Sequence, residues 1–236
     1  MRLSELLRRE VPADPEITGV TADSRKVRPG YLFAALPGAK VDGRSFAPRA
    51  VEQGAVAVLA GREIEHLSVP LVTAGDPRRA YALAAAALWG AQPATCVAVT
   101  GTNGKTSVAG FCRQIFAGAG HKAASMGTLG LRISAPDRRN GSVVDEQVTP
   151  PGLTTPDAAD VAELLAGVAR SGVTHLALEA SSHGIDQRRL DGVRLTAAGF
   201  LNLTQDHLDY HGTMGVYRAA SCACSTPCWR VAGRRC

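Results

Sequence analysis

Val97-Ala98-Val99-Thr100-Gly101-Thr102-Asn103-Gly104-Lys105-Thr106-Ser107 runs from an apolar strand pattern, through a glycine-rich turn, into a helical pattern containing Val108, Phe111 and Ile115. That order is the context a phosphate loop needs. The glycines let backbone N–H groups converge on phosphate oxygens, and the helix N-terminus adds its partial positive charge. Lys105 can reach terminal phosphates, and the Thr106 hydroxyl can bind Mg2+. The spacing is G-x-x-G-K-T, two residues shorter between its glycines than the common form. A plain strand-to-helix turn has no need of a lysine and a hydroxyl at the helix start.

Outward from this loop, residues 176–178 and 198–201 read as further short buried strands, and the segments between them are long enough for crossover helices. Alternating strands and helices predict a parallel sheet covered on both faces. Residues 157–170 form the clearest helix, with Val161, Leu164, Leu165 and Val168 on one stripe. Between Leu131 and Pro151 the charges, Asn140-Gly141 and paired prolines predict a surface excursion. Upstream, strand patterns at 17–20, 31–36, 56–59 and 69–72 alternate with helices at 46–53 and 78–89. The second helix has Asp76-Pro77 at its start and Gly90 as its stop. Ala91-Gln92-Pro93 breaks the pattern. The expected organisation is an α/β domain over 1–92, a phosphate-loop domain over 93–220, and a structureless tail over 221–236.

The 236 residues carry 26 Lys+Arg and 21 Asp+Glu and are 45% hydrophobic, enough to bury a real core. Arg230, Arg234 and Arg235 lie in a tail without acids; without them 23 basic residues face 21 acidic ones, a balance of +2. The charge therefore argues against a nucleic-acid partner. No apolar run reaches the roughly 20 residues of a membrane helix, and residues 1–15 are too charged for a signal peptide. Cys96 and Cys112 are the only cysteines before residue 221, which excludes a disulfide scaffold over most of the chain. A monomer in a reducing cytoplasm is the expectation.

Two polar clusters follow strand patterns. Glu179-Ala180-Ser181-Ser182-His183-Gly184 succeeds the strand 176–178, and the polar stretch Asn202 to His211 succeeds 198–201. Ligands of open α/β sheets bind at the carboxyl ends of strands, where the phosphate loop also lies. A carboxylate and an imidazole can thus converge on a metal beside nucleotide phosphates.

These strings resemble the Mur ligase family. The resemblance is carried by residues 101–107, by Leu153-Thr154-Thr155-Pro156, by residues 179–184 with Gln187 and Arg189, and by Asn202 to Gly212. Upstream, Ala22-Asp23-Ser24-Arg25, Arg28-Pro29-Gly30, Leu32-Phe33-Ala34-Ala35 and Asp42-Gly43 are similar to the family's UDP-binding domain. The Ser-Ser-His-Gly-x-x-Gln-x-Arg and Asp-His-Leu-Asp-Tyr-His-Gly strings resemble the members that add the third peptide residue, whereas the phosphate loop is shared with folylpolyglutamate synthases. The resemblance implies a UDP-substrate domain, an ATPase domain and an ATP-dependent amide ligation. The terminal carboxylate of UDP-MurNAc-L-Ala-D-Glu would be phosphorylated, and the amine of diaminopimelate or lysine would attack the acyl phosphate. Gly101, Thr102, Asn103, Gly104, Lys105, Thr106 and Ser107 would hold ATP, with Lys105 on the γ-phosphate. Thr106, Glu179 and His207 would bind Mg2+. Ser24 would meet the UDP part, and Thr154, Thr155, Ser181, Gln187 and Arg189 the muramoyl dipeptide. A UDP-sugar- or ATP-binding remnant and a folate-type ligase are the alternatives.

Three departures accompany the resemblance. Ala39-Lys40 stand where some members have His-Gln. The family continues Tyr-x-x-Ala-Lys, its lysine carbamylated to bind a second Mg2+, where this chain has Tyr217-Arg218-Ala219-Ala220-Ser221. The remainder of the ATPase domain and the C-terminal ligase domain are absent from the sequence. Lys-Leu-Arg-Leu-Phe written AAG CTG CGC CTG TTC and read one base late gives Ser-Cys-Ala-Cys-Ser, the residues at 221–225, so a frameshift accounts for the tail. A zinc site at Cys222, Cys224, Cys228 and Cys236 is the competing reading, with irregular spacing. Residues 1–236 by themselves are expected not to turn over.

Overall fold

The computed structural model describes residues 1–38, 41–137, 142–150 and 153–223. The chain divides into two compact units, Met1–Gly90 and Ala91–Cys236. The first contains α1 (Leu3–Leu7), β1 (Gly19–Thr21), β2 (Tyr31–Ala35), α2 (Ala47–Glu52), β3 (Ala55–Ala60), β4 (Leu71–Thr73) and α3 (Pro77–Trp89). Its four strands pair in parallel in the order β1-β2-β3-β4. The start and stop signals of α3 act as expected. Asp76 accepts the Arg79 N–H at 3.0 Å, Pro77 occupies the first turn, and Gly90 ends the helix at φ 70°. Phe33 and Val58, among the residues the strands bury, pack with Ala47 and Ala50 of α2 into one core. Burying each large side chain of this kind is worth about 1.5–3 kcal/mol.

The second unit contains β5 (Thr95–Thr100), α4 (Lys105–Gly118), β6 (Ala123–Gly127), β7 (Gly130–Pro136), β8 (Val143–Gln147), α5 (Ala158–Arg170), β9 (His175–Glu179), α6 (Ser182–Asp186), β10 (Ala197–Phe200), α7 (Leu208–His211) and α8 (Met214–Cys222). The sheet order is β10-β5-β9-β6-β7-β8. The strands β10, β5, β9 and β6 are parallel, as the alternating pattern predicts. β7 and β8 then join antiparallel, so the sheet is mixed rather than wholly parallel. α5 carries Val161, Leu165 and Val168 into a core with Cys96, Ala98, Leu176 and Leu178. Burial pushes the Cys96 thiol up to about 11, so it packs as a small apolar group.

Three expectations need correction. The segment after Leu131 is not an excursion throughout. Leu131 and Ile133 are buried in the core through the alternation of β7, and the hydrogen-bonded edge continues into β8, while residues 138–141 and 151–152 lie outside the described residues. Helix α4 does not turn its Phe111–Ile115 stripe inward. Both are more than half exposed, and Ala109, Arg113 and Ala117 are buried instead, the alanines by their size and Arg113 by its hydrogen bonds to Ser134 and Asp145. The tail is not structureless from residue 221: Thr213 caps α8 by accepting the Val216 N–H, and the helix runs on through Ser221 and Cys222. Ser221 is buried, and its hydroxyl has no partner among the described residues. The zinc alternative falls mainly outside the described residues, since only Cys222 of its four thiols is within them.

Arg113 is 3% exposed, and its guanidinium donates to Asp145 of β8 at 2.6 Å and to Ser134 of β7. The two partners are unequal, since the Asp145 side chain is 55% exposed. Removing the carboxylate strands a buried cation, whereas removing the arginine leaves a carboxylate that water can reach. Asp145→Ala is therefore expected to cost more than Arg113→Met, by about 1–3 kcal/mol in chemical denaturation.

Candidate nucleotide and substrate site

The phosphate loop leaves β5 with Gly101 at φ 131° and enters α4 through Gly104 at φ 87°, conformations that side-chain-bearing residues rarely adopt. The loop is tied down from the far side. Thr102 N–H donates to the Asn202 carbonyl at 3.0 Å, and Asn103 exchanges two 3.0 Å bonds with the Asn202 amide. The Thr102 hydroxyl accepts from Thr204 N–H at 2.9 Å and lies 3.0 Å from the Tyr217 hydroxyl. The N–H groups of Thr102 and Asn103 are thus engaged within the protein, whereas those of the first turn of α4 have no acceptor within the helix and could meet phosphate oxygens. Ser107 is exposed on that turn.

Lys105 folds back over the loop, its Nζ donating to the carbonyls of Gly101 at 2.7 Å and Thr102 at 2.9 Å. Burial lowers its pKa, while Glu179 and Asp206 pull it back toward the charged form. Glu179 ends β9 and is 3% exposed. Its Oε2 accepts the Thr106 hydroxyl at 2.9 Å, and its Oε1 accepts the Thr128 N–H at 3.0 Å. A Cβ on Gly127 would collide with this carboxylate, so glycine is required there. Thr106 and Glu179 together form a pair of oxygen donors at a helix start, the donor type that suits Mg2+ beside phosphates.

The predicted muramoyl residues also converge. Thr155 is 2% exposed; its hydroxyl donates to the Glu179 carbonyl at 3.0 Å and accepts from both the N–H and the hydroxyl of Ser181, each at 3.0 Å. Ser181 in turn caps α6 by accepting the Gly184 N–H. Arg189 donates to the Thr155 carbonyl at 2.6 Å and to the Gln187 Oε1 at 2.7 Å. The Thr154 hydroxyl lies 2.9 Å from that of Thr128. Ser24 belongs to the first unit. It is buried at the head of a short 3-10 turn, between Asp23 and Arg25, whose side chains pair at 2.8 Å. The Ala39-Lys40 departure lies outside the described residues.

His207 makes its contacts with Asp206, His183 and Tyr217 rather than with the Thr106–Glu179 pair. It takes a left-handed backbone, φ 52°, pairs with Asp206 at 3.5 Å, and packs edge-on against His183 with centroids 4.9 Å apart. His183, Tyr210, His211 and Tyr217 continue the ring cluster. Among the described residues, no group of three or more His, Cys, Asp or Glu side chains surrounds a cation position. Asn202 begins the polar cluster that follows a strand in the sequence, whereas nothing local to Gly127-Thr128 or Tyr217 marks either as part of a site.

A strand, a glycine loop, a lysine-led helix and a buried carboxylate on the neighbouring strand define a nucleotide-phosphate-binding α/β protein. Comparison with known proteins narrows the class. The profile of the Mur ligase middle domain matches residues 99–224, and that of the Mur ligase family catalytic domain matches residues 16–88. The chain belongs to the Mur ligase family. It is 69% identical over 220 residues to a UDP-N-acetylmuramoyl-L-alanyl-D-glutamate--2,6-diaminopimelate ligase of Caulobacter vibrioides, covering 93% of this chain and 44% of the relative. The enzyme of the same name from Agrobacterium fabrum is 54% identical, over 92% of this chain and 42% of its own length. A solved structure of a ligase of that name superposes with a TM-score of 0.79 at 31% identity, covering 94% of this chain and 44% of that one. The chain therefore spans less than half the length of these relatives. Among the described residues no helix is long and apolar enough to cross a membrane.

The ring cluster sets a pH dependence. His183 is held below the ordinary imidazole value by burial and then by His207 and His211, and His211 by burial against the opposing pull of Asp186. The unfolded chain titrates its histidines near pH 6.5, so below that value it binds more protons than the folded chain. The cluster's contribution is complete above about pH 6.5 and is lost as pH falls through the lower folded values. Melting temperature should hold steady from pH 8 to 7 and drop between pH 6.5 and 5, with a shallower drop in His211→Gln. An equal drop in the variant would place the dependence elsewhere.

Proposed function

We propose that this chain supplies the UDP-substrate unit and the nucleotide-phosphate site of a ligase that adds diaminopimelate to UDP-MurNAc-L-Ala-D-Glu, in the cytoplasm and as a monomer. The observation that carries the reading is the joining, through Glu179, of the phosphate-loop helix to the threonine pair Thr154 and Thr155. The relatives 69% and 54% identical are named as 2,6-diaminopimelate ligases, which supports diaminopimelate over lysine.

Each residue's work follows from its geometry. The first turn of α4 presents N–H groups and a positive dipole end to the phosphates of ATP. Lys105, now bonded to two loop carbonyls, exchanges them for the γ-phosphate, whose charge offsets the desolvation that lowers the lysine pKa. Thr106 and Glu179 would hold Mg2+, which would supply neutralisation of the charge that develops during phosphoryl transfer. Arg189, fixed by the Thr155 carbonyl and Gln187, places a guanidinium beside the threonine pair, the group type that recognises a carboxylate of the dipeptide. Ser181 and Thr155 hold the 179–184 turn against the strand end, which sets the distance between the two substrates. A carboxylate is a poor electrophile. Transfer of the γ-phosphoryl group to its oxygen releases ADP and creates an acyl phosphate, from which an amine displaces phosphate to form the amide.

Two binding measurements test this. Calorimetry should show MgATP binding to residues 1–236, weakened roughly 10- to 100-fold in Lys105→Ala, the range expected for loss of charge-assisted hydrogen bonds worth about 1.5–3 kcal/mol. Equal affinity in the two proteins would remove Lys105 from the phosphate site. In a thermal-shift assay, UDP-MurNAc-L-Ala-D-Glu should stabilise the chain and a folate should not; stabilisation by the folate alone would overturn the substrate assignment.

A further inference from the structure

Thr128 follows β6 and lies outside every motif described above, yet it touches both halves of the site. Its N–H donates to Glu179 Oε1 at 3.0 Å, and its hydroxyl lies 3.3 Å from Glu179 Oε2 and 2.9 Å from the Thr154 hydroxyl. A hydroxyl carries one proton. Because the Glu179 carboxylate can only accept, the consistent arrangement is Thr154 O–H donating to Thr128 Oγ1 and Thr128 O–H donating to Glu179. Thr106 donates to the same Oε2 from the phosphate-loop side. An unbroken hydrogen-bonded row thus runs from Thr154 through Thr128 and Glu179 to Thr106, and each donor polarises the next.

We propose that Thr128 is a positioning residue that couples the muramoyl-dipeptide subsite to the metal–nucleotide subsite. The inference rests on the functional reading above. The Thr106 hydroxyl, whose oxygen lone pair would serve Mg2+, keeps its proton for Oε2. The carboxylate orientation is therefore set jointly by that donor and by the two donors of Thr128. One of them, the hydroxyl, is itself oriented by Thr154. A dipeptide that fixes the Thr154 rotamer therefore fixes the Thr128 proton and, through it, the Glu179 oxygens that face the cation. The ordering cost is met once for both ligands, so binding of either favours binding of the other. Thr128 is exposed, so replacing it disturbs no core packing.

The test is a pair of titrations on residues 1–236: Mg2+ with a non-hydrolysable ATP analogue, in the absence and presence of saturating UDP-MurNAc-L-Ala-D-Glu. Wild type should bind the analogue at least about fivefold more tightly with the dipeptide present, the lower end of ordinary coupling. Thr128→Val, which keeps shape and N–H but loses the hydroxyl, should bring that ratio close to one, while Thr128→Ser should restore it. Thr154→Val should abolish the ratio equally, and the double variant should lose nothing more. Circular dichroism melts confirm that each variant is folded. A wild-type ratio retained in Thr128→Val, or a ratio of one in wild type with both ligands bound, would overturn the coupling role and leave the functional reading intact. Failure of wild type to bind the nucleotide analogue would overturn the functional reading itself.

Discussion

A single buried carboxylate organises the second unit. Glu179 ends β9, the strand between β5 and β6, and accepts from the first turn of α4 and from the residue after β6. A carboxylate at 3% exposure is tolerable only if its oxygens are satisfied. Two neighbouring strand ends and one helix start are thereby held at fixed separation. The requirement extends to Gly127, where any side chain would occupy the carboxylate's space. Removing the acid would leave the Thr128 N–H and the Thr106 hydroxyl without their acceptor.

Around that carboxylate the polar groups are arranged in two tiers. Thr155, Ser181 and Arg189 bond mainly to backbone, so they set the course of the chain through the turn 179–184. Lys105, Thr106, Thr128 and Thr154 are bonded to groups that a phosphate, a cation or a substrate hydroxyl can replace. Thr155 is buried, Ser181, Arg189, Lys105, Thr106 and Thr154 are half-buried, and Thr128 is exposed, so the two groups differ in what they bond to rather than in depth.

Much of the architecture was legible in local chemistry. The α3 boundaries follow from an aspartate, a proline and a glycine whose effects act over one turn. The phosphate loop is equally local, since glycine conformations and a helix start are properties of consecutive residues. The stretch 131–151 misled because charge, glycine and proline mark turns whether or not the flanking residues pair; Leu131 and Ile133 are buried because β6 lies beside them. On α4 periodicity locates a face of the helix without saying which face meets the sheet: Ala109, Ala117 and the hydrogen-bonded Arg113 are buried, and Phe111 and Ile115 are exposed.

The family, the loop and most of the residues that meet there could be read from the chain alone, because each is recorded in contiguous strings of up to about eleven residues. What required the folded molecule is which of those strings touch. Thr106 reaches Glu179 across 73 positions and Thr102 reaches Thr204 across 102, distances over which sequence order carries no geometric information. The same holds for Thr128, an unremarked residue after a strand of small side chains. It belongs to the site only because parallel pairing of β6 with β9 brings their carboxyl ends together.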